Sequence, residues 1–383
     1  MTSRLIVNSI RHTGGSADAV TLASDGTCTA NITNNLSNRR LNINGGMAVA
    51  QRGTVTGITS STYAGPDRFR FGIGSHGTFT VSQDSSAPTG SGFANSLKLA
   101  CTTADTSVAS SAAGYFQHKL EGQDCQSIKK GTSSAKQLAV QFWVKSNKTG
   151  TYALQCQDTD NSRNFTTTYS ISSADTWEKK TITIPADTTG ALDDDNNVSL
   201  VFNFWLVAGT DYTSGSASAS WYGNTASNMA KGHTVNIADS TSNTWYMTGF
   251  QVEIGDVHTD FEHRSFGQEL ALCQRYFNRY NSETTNGMFL LVAGYNPSNT
   301  GARGSFPFTT PMRAIPSFAL SNLSHFQELA TNKGLSSITL ADSGTGKNLT
   351  GLTVAFDSNS VAGYAYIIRA GSSSAYFDFS AEL

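Results

Sequence analysis

Two hydrophobic periods run along this chain, and the change from one to the other divides it. Between Leu41 and about Phe261 apolar residues recur every second position: Leu138, Val140, Phe142 and Val144; Leu200, Phe202, Phe204 and Leu206; Ile182 and Ile184 before Pro185; Tyr246, Phe250 and Val252. A period of two turns one side of each run toward a core and the other toward water. Turn-forming clusters, Ser146 to Gly150 and Asp193 to Asn197 among them, separate the runs. Roughly eight to ten such strands with no helical pattern between them predict an antiparallel sandwich of jelly-roll type, its first and last strands paired.

The period changes between Gly249 and Tyr280. A strand through Ile254 ends at Gly255-Asp256, and Phe266, Leu270, Cys273 and Phe277 then fall four, three and four residues apart, one face of a helix. Ser265 as N-cap with Gln268 three residues on forms a capping-box pattern, so a linking helix is predicted over 265–280. A helix this short must bury its stripe. It does so against its own chain, or against copies of itself, since the spacing also suits a short coiled-coil seam. On the second reading Phe266, Leu270, Cys273 and Phe277 are oligomerisation residues.

Beyond the helix, 281–383 reads as a smaller β-sandwich. Its predicted strands are Met288–Val292, Phe306–Phe308, Ser317–Leu320, Ser336–Leu340, Leu352–Phe356, Ala365–Arg369 and Tyr376–Phe379. At the other end, 1–40 offers Leu5–Val7 with Ile10, Ala19–Leu22 and a turn at Asp25-Gly26. So few strands build no core of their own. That module pairs with another copy, docks on a partner or remains a loosely ordered tail. The expected organisation is all-β: an N-terminal segment 1–40, a jelly-roll body 41–264, the helix 265–280 and a C-terminal β-domain 281–383.

Composition narrows the function. Charged residues are 14% of the 383, well below the usual quarter, and a formal net charge of −2 gives no basis for electrostatic binding to nucleic acid. No apolar run is long enough to insert in a membrane, and the opening MTSRLIVNSIRHTGG lacks the apolar core of a secretory signal. The five cysteines are scattered, odd in number and never in a CxxC pair; free buried thiols, synthesis in a reducing cytoplasm and no structural zinc are expected. Sequons such as the one at Asn31 arise by chance in so Ser/Thr/Asn-rich a chain.

Several stretches together resemble virion proteins of tailed bacteriophages, in particular appendage or fibre proteins of marine and cyanobacterial phages. They are Asn38 to Met47 with Ala50-Gln51-Arg52-Gly53, Gly65 to Phe69, Gln141 to Ser146, Trp177 with Ile182 to Pro185, and Gly249 to Gly255 running through Phe261-Glu262 to Glu269–Phe277. The resemblance implies a carbohydrate-binding jelly roll on an N-terminal virion-attachment segment, commonly trimeric, with a variable tip. It implies a structural tail-fibre role in host-surface adsorption, in the virion, with other virion proteins as partners through 1–40. The alternatives are a capsid- or neck-attached decoration protein and, less favoured, a glycan-degrading enzyme.

The residues themselves offer no catalytic set. Gly72 to Gly77 matches GxGxxG, but Thr78–Val81 after it reads as a strand, so a glycine-rich hairpin is expected. Gly344-Thr345-Gly346-Lys347 lacks the rest of a P-loop, and no nucleophile elbow is present. No cofactor is implied. Asp256, His258, Asp260, Glu262 and His263 read as solvated connector residues rather than metal ligands, and Asp193 to Asp195 with Asp158 and Asp160 as acidic turns that calcium would suit only if gathered. For a host glycan the relevant chemistry is an exposed aromatic face beside amides and carboxylates. Trp221 and Tyr222, in a stretch of small polar residues, are the first candidates, followed by Tyr295 with Asn296 and Tyr364 with Tyr366.

Overall fold

The computed structural model describes residues 7–24, 26, 28–30, 38–216, 219–282, 288–290, 301–329, 332–341, 345–357 and 366–383. The fold is all-β, and every strand pairing among the described residues is antiparallel. Three short strands, β1 (Ser9–Ile10), β2 (Val20–Leu22) and β3 (Cys28–Ala30), form an N-terminal sheet. Its register puts Ile10, Val20, Leu22 and Cys28 on one face and Ser9 and Thr21 on the other. Ile10 and Leu22 are exposed, so the apolar face of this module has no cover among the described residues.

The body holds β4 (Val55–Tyr63), β5 (Phe69–Asp84), β6 (Ser96–Thr103), β7 (Ala113–Glu121), β8 (Leu138–Ser146), β9 (Gly150–Asp158), β10 (Arg163–Ile171), β11 (Glu178–Ile184), β12 (Val198–Ala208), β13 (Tyr222–Gly223) and β14 (Thr244–Ile254), with a one-turn helix α1 (Thr210–Thr213). The long strand β5 belongs to two layers. Its first half pairs with β7 and continues through β12, β9, β10 and β13, while its second half pairs with β6 and continues through β14, β8 and β11. Gly72 to Gly77 lies inside this one strand. The predicted hairpin is therefore a bend at which a single strand changes sheets, and the missing side chains free it to turn.

Between the layers the inward positions of the alternating strands meet. Phe142 of β8 packs on Phe204 of β12 at 5.1 Å between ring centroids, Phe250 of β14 on Phe202 at 5.7 Å, and Trp245 stacks on Phe116 of β7 at 5.7 Å. The expected pairing of first strand with last is not formed: β4 pairs with β5, and β14 with β6 and β8. The non-strand segment before β4 meets β14 instead: Leu41 N–H donates to Val252 C=O, Phe250 N–H to Gly45 C=O, and the Asn42 amide bonds both Phe250 and Val252. One strand differs from its expected pattern. A bulge between Thr248 and Gln251 shifts the register of β14, so Trp245 and Met247 face the core with Phe250 and Val252, and Tyr246 faces outward. A bulge inserts one residue and thereby exchanges the two faces.

The helix α2 (Phe266–Gln274) begins with the expected capping box but ends six residues sooner than the periodicity predicts. Asn278 caps the Gln274 carbonyl, and Phe277 opens β15 (Phe277–Asn281) opposite Ser380. Pairing with a distant strand overrides the local helical spacing. Cys273 and Phe277 are buried within the chain, Leu270 packs beside Cys273 on a small cluster of Ile43, Val49 and Tyr276, and Phe266 is 61% exposed. The helix thus seats mainly on its own body.

The C-terminal domain adds β16 (Met288–Leu290), β17 (Gly301–Pro307), β18 (Ser317–Leu320), β19 (Phe326–Glu328), β20 (Leu335–Leu340), β21 (Leu349–Phe356), β22 (Ile368–Ala370) and β23 (Tyr376–Ser380). With β15 they form three three-stranded sheets around Phe308, Phe326, Leu352, Val354, Phe377 and Phe379. Strands β15 and β19 were not legible as such in the sequence. Charged side chains seat the domain on the body. Arg275 grips Glu121 in two hydrogen bonds of 3.0 and 2.7 Å, buried Arg68 pairs with Glu382 while stacking on Tyr276, and Arg313 bonds the carbonyls of Asn196, Ala381 and Glu382.

Candidate functional site on the outer face of the body

Each layer of the sandwich has an outward face, and the two are finished differently. On the layer of β7, β12, β9 and β10 the outward positions carry a ladder of amides. Arg70 donates to Gln117, Gln117 to Asn203, Asn203 and the Trp205 indole to Gln155, Gln155 to Asn164, and Asn164 to Asn224, over distances of 2.7–3.2 Å. The stretches 209–216 and 219–234 lie over this layer. Ala230 is fully buried against Ala153 and Trp205, and Tyr212 meets the Trp205 ring at 5.2 Å. His233 clamps the segment: its Nδ1 accepts from Ala153 N–H and its Nε2 lies 2.7 Å from Val235 C=O. Burial pulls its pKa down to about 4, so the imidazole stays neutral and keeps the lone pair that accepts from Ala153. With its amides bonded to one another and its aromatic ring covered, this face is closed.

The outward face of β11, β8, β14 and β6 is open in part: Gln141 and Thr248 are buried, Gln141 donating to Thr259 C=O of the connector, while Trp143, Lys145, Lys179 and Tyr246 reach the surface. Along β8 the positions facing away from the core are Gln141, Trp143 and Lys145; opposite them stand Lys179 on β11 and Tyr246 and Thr248 on β14. Trp143, Tyr246 and Trp177 are half-buried. Lys145 Nζ lies 4.2 Å from the Tyr246 ring centre and 5.3 Å from that of Trp177, and donates to Ser86 Oγ at 2.7 Å. Lys98 faces Tyr246 and pairs with Asp84 at 3.1 Å.

Beside Trp143 the face deepens into a cavity of about 330 Å³, lined by Gly90, Ser91, Phe93, Gln141, Trp143, Lys179, Gly249, Asp260, Phe261 and His263. Three parts of the chain build it: the loop after β5 supplies Phe93, the β14 bulge supplies Gly249, and the connector after β14 supplies Phe261 and His263. Phe93 meets Phe261 at 4.8 Å and His263 at 5.2 Å. Gly249 has φ of +62°, and a Cβ there would lie 2.7 Å from the Phe93 ring and 3.1 Å from Trp143, so glycine both permits the bulge and leaves room for the aromatic walls. Burial and the nearby Arg40 charge lower the pKa of His263. The volume is in the range of roughly 300–1,000 Å³ usual for small-molecule sites, and apolar walls with a few polar groups are their usual make-up.

A larger cavity, about 700 Å³, opens between the start of the body and α2, lined by Arg40, Leu41, Ile43, Arg264, Leu272 and Arg275 among others. Arg40 is paired with Glu269 and Arg275 with Glu121, and the Arg264 guanidinium is held by the Arg40 and Asn42 carbonyls. Its cations are engaged in holding the helix.

The residues singled out from sequence distribute as follows. Trp221 is partly buried on the core: its indole N–H donates to Pro185 C=O at 2.8 Å, its ring lies 6.3 Å from Phe165, and Lys130 Nζ is 5.2 Å from it. The small polar neighbours in sequence are not its neighbours in space. Tyr222 hydroxyl is bonded to Thr166 and to Asn228 C=O. Tyr366 is buried against Phe356, and Tyr295, Asn296 and Tyr364 lie outside the described residues. Of the described ones, Trp221 and Tyr222 belong to the body and Tyr366 to the C-terminal core. Of the connector residues, Glu262 accepts the N–H groups of Asn38 and Arg40, while Asp260 and His263 line the Trp143 cavity. Asp158 is buried and paired with Lys130 at 2.5 Å, and Asp160 takes the Asp193 N–H. Among the described residues no three His, Cys, Asp or Glu side chains are grouped to hold a metal ion, and no described helix is long and apolar enough to cross a membrane. Trp143 went unmarked as a site residue, although a signal existed: in Leu138–Ser146 it occupies the polar register of an alternating strand.

No protein-family model matches the chain, and no curated protein does. Among solved structures, the enzymatically active domain of tailspike protein 4 of bacteriophage CBA120 is similar at 12% identity and a TM-score of 0.29, over 56% of this chain and 21% of that one. The family 11 carbohydrate-binding module of a Clostridium thermocellum cellulosomal cellulase gives 10% and 0.27, over 54% and 99%. A tandem of two family 22 carbohydrate-binding modules from Paenibacillus barcinonensis gives 9% and 0.26, over 85% and 96%. The chain spans about a fifth of the tailspike domain.

Proposed function

We propose that this chain is a non-enzymatic glycan-binding protein of a tailed-phage virion, a fibre or appendage, and that it meets its sugar on the outer face of the body. The observation that carries the glycan reading is the open aromatic cavity of Phe93, Trp143 and Phe261 with Gln141 and Lys179 at its rim. Aromatic faces cover the C–H surface of a sugar ring while amide, ammonium and hydroxyl groups bond its hydroxyls. The virion reading rests on the sequence resemblance across 38–280. In it, the N-terminal segment attaches to the particle, three chains assemble, and several weak sugar sites act together through avidity.

Affinity electrophoresis of the full chain through gels of host-type polysaccharides tests the glycan reading. Retardation that is lost in Trp143→Ala supports it; equal mobility in every gel overturns it. Release of reducing sugar would overturn the non-enzymatic part. A light-scattering mass of three chains supports the fibre. A single-chain mass favours the decoration protein, a reading supported by the uncovered apolar face of Ile10, Leu22 and Cys28, which suits a site on another virion subunit.

A further inference from the structure

Resting on the glycan reading of the same face, we infer that the sugar it takes is acidic, a saccharide bearing carboxylate or sulfate groups. The charges around Trp143 carry this. Lys179 stands directly across from Trp143 on β11, exposed and lining the cavity. Lys145 is two residues along β8 on the same face, its chain held upright between the Tyr246 and Trp177 rings and its Nζ anchored on the neutral Ser86 hydroxyl. Neither lysine forms an ion pair with a described carboxylate. Of the carboxylates nearby, Asp84 pairs with Lys98 and also acts on Lys145 through space, Glu253 bonds Thr259 and faces Arg39, and Glu262 accepts main-chain N–H groups. Asp260 and His263 line the same cavity as Lys179.

Two ammonium groups without a direct ion pair therefore stand on this face, Lys179 across from Trp143 and Lys145 two residues along β8, on a chain whose formal net charge is −2. A neutral sugar gains only hydrogen bonds from them, which amides supply as well, whereas an anionic one also gains the charge attraction. An anionic sugar stacked on Trp143 places its charged substituent between Lys145 and Lys179, where ring faces exclude water and strengthen the attraction. The cation–π contacts hold Lys145 in position before the ligand arrives, which lowers the entropy lost on binding. A nucleic acid would want a continuous basic track, and Lys145 and Lys179 stand beside a discrete cavity at Trp143 instead.

The test is isothermal titration of the full chain with four probes: oligogalacturonate, a sulfated chondroitin oligosaccharide, a neutral cello-oligosaccharide and an oligothymidylate. At least one acidic saccharide is expected to bind roughly tenfold or more tighter than the neutral one, and to weaken severalfold as salt rises from ~50 to ~500 mM. The double variant Lys145→Gln/Lys179→Gln loses that preference and keeps its melting temperature; Trp143→Ala loses binding of every saccharide. Comparison of the galacturonate and chondroitin arms tells carboxylate from sulfate. Neutral sugar bound as tightly as acidic, or a preference unmoved by the double variant, overturns the acidic assignment and leaves the glycan reading standing. No saccharide bound at all overturns both. Oligothymidylate bound as tightly as the acidic sugars, with no effect of Trp143→Ala, identifies a general polyanion surface and overturns the proposal.

Discussion

The two outward faces of the body start from the same raw material, since each presents tryptophan, tyrosine and long polar side chains on the solvent register of its strands. One is closed by a crossing segment that buries Trp205 and leaves the amides of Gln117, Asn203, Gln155 and Asn164 to satisfy one another. The other keeps Trp143, Tyr246 and Trp177 half-exposed, with Lys145 and Lys179 outside any direct ion pair with a described carboxylate. Polar side chains on a sheet are structural when covered and available when open, and composition alone does not separate the cases. What separates them is a cover: Tyr212, Met229 and Ala230 lie across the first face, whereas the loop carrying Phe93 and the connector carrying Phe261 meet on the second and make a cavity there.

That contrast is sharpest for stability. Trp205→Ala on the closed face removes a ring packed between Tyr115 and Tyr212 and is expected to cost about 3–5 kcal/mol, measured by urea unfolding, with saccharide binding by the folded fraction unchanged. Gln155→Leu strands the amides of Asn203 and Asn164 and the Trp205 indole N–H; a loss of about 2–3 kcal/mol is expected, again without effect on binding. Comparable losses of binding would break the division of labour between the faces.

Acid is expected to loosen the closed face first. His233 has a folded pKa of about 4 against an ordinary 6.5, and burial holds His118 low as well. Between these values the unfolded chain binds the proton and the folded chain does not, so stability is fully present above pH 6.5 and falls as pH drops toward 4. Thermal unfolding across this window should show the slope, and His233→Gln should reduce it, His118 keeping the remainder.

On the open face the balance inverts. Trp143→Ala is expected to weaken saccharide binding at least tenfold, ~1.4 kcal/mol, while costing about 1 kcal/mol of stability or less. The smallest effect is expected at Phe266. Because the rest of the helix stripe is turned into the chain's own core, Phe266→Ser should shift stability by no more than about 0.5 kcal/mol and leave the light-scattering mass unchanged. A fall in mass would restore the helix as a seam between copies.

Much of the architecture was legible in the sequence. Period-two runs such as Leu138–Val144 and Leu200–Leu206 identified core strands, because alternation is a local consequence of the pleat and needs no partner to be read. Ser265 and Gln268 announced the start of the helix for the same reason, both halves of a capping box lying within one turn. The end of that helix was not legible. Phe277 fits the helical spacing as well as it fits a strand, and its pairing with Ser380 is a choice made more than a hundred residues away. Tyr246 was assigned to the wrong face, because a bulge at Gly249 leaves no periodic mark. Trp221, read among small polar neighbours, turns out to rest on Phe165 and Lys130.

The sequence by itself determined the all-β class, the strand-rich body and the helix start, all properties that short-range sterics and side-chain alternation impose. Only the tertiary structure decided which aromatic residues are covered, which lysines lack a carboxylate, and that Phe93, Trp143 and Phe261 enclose one cavity. The reason is physical: exposure and charge balance are sums over neighbours in space, and in a sandwich whose strand order is far from its chain order those neighbours come from distant parts of the chain.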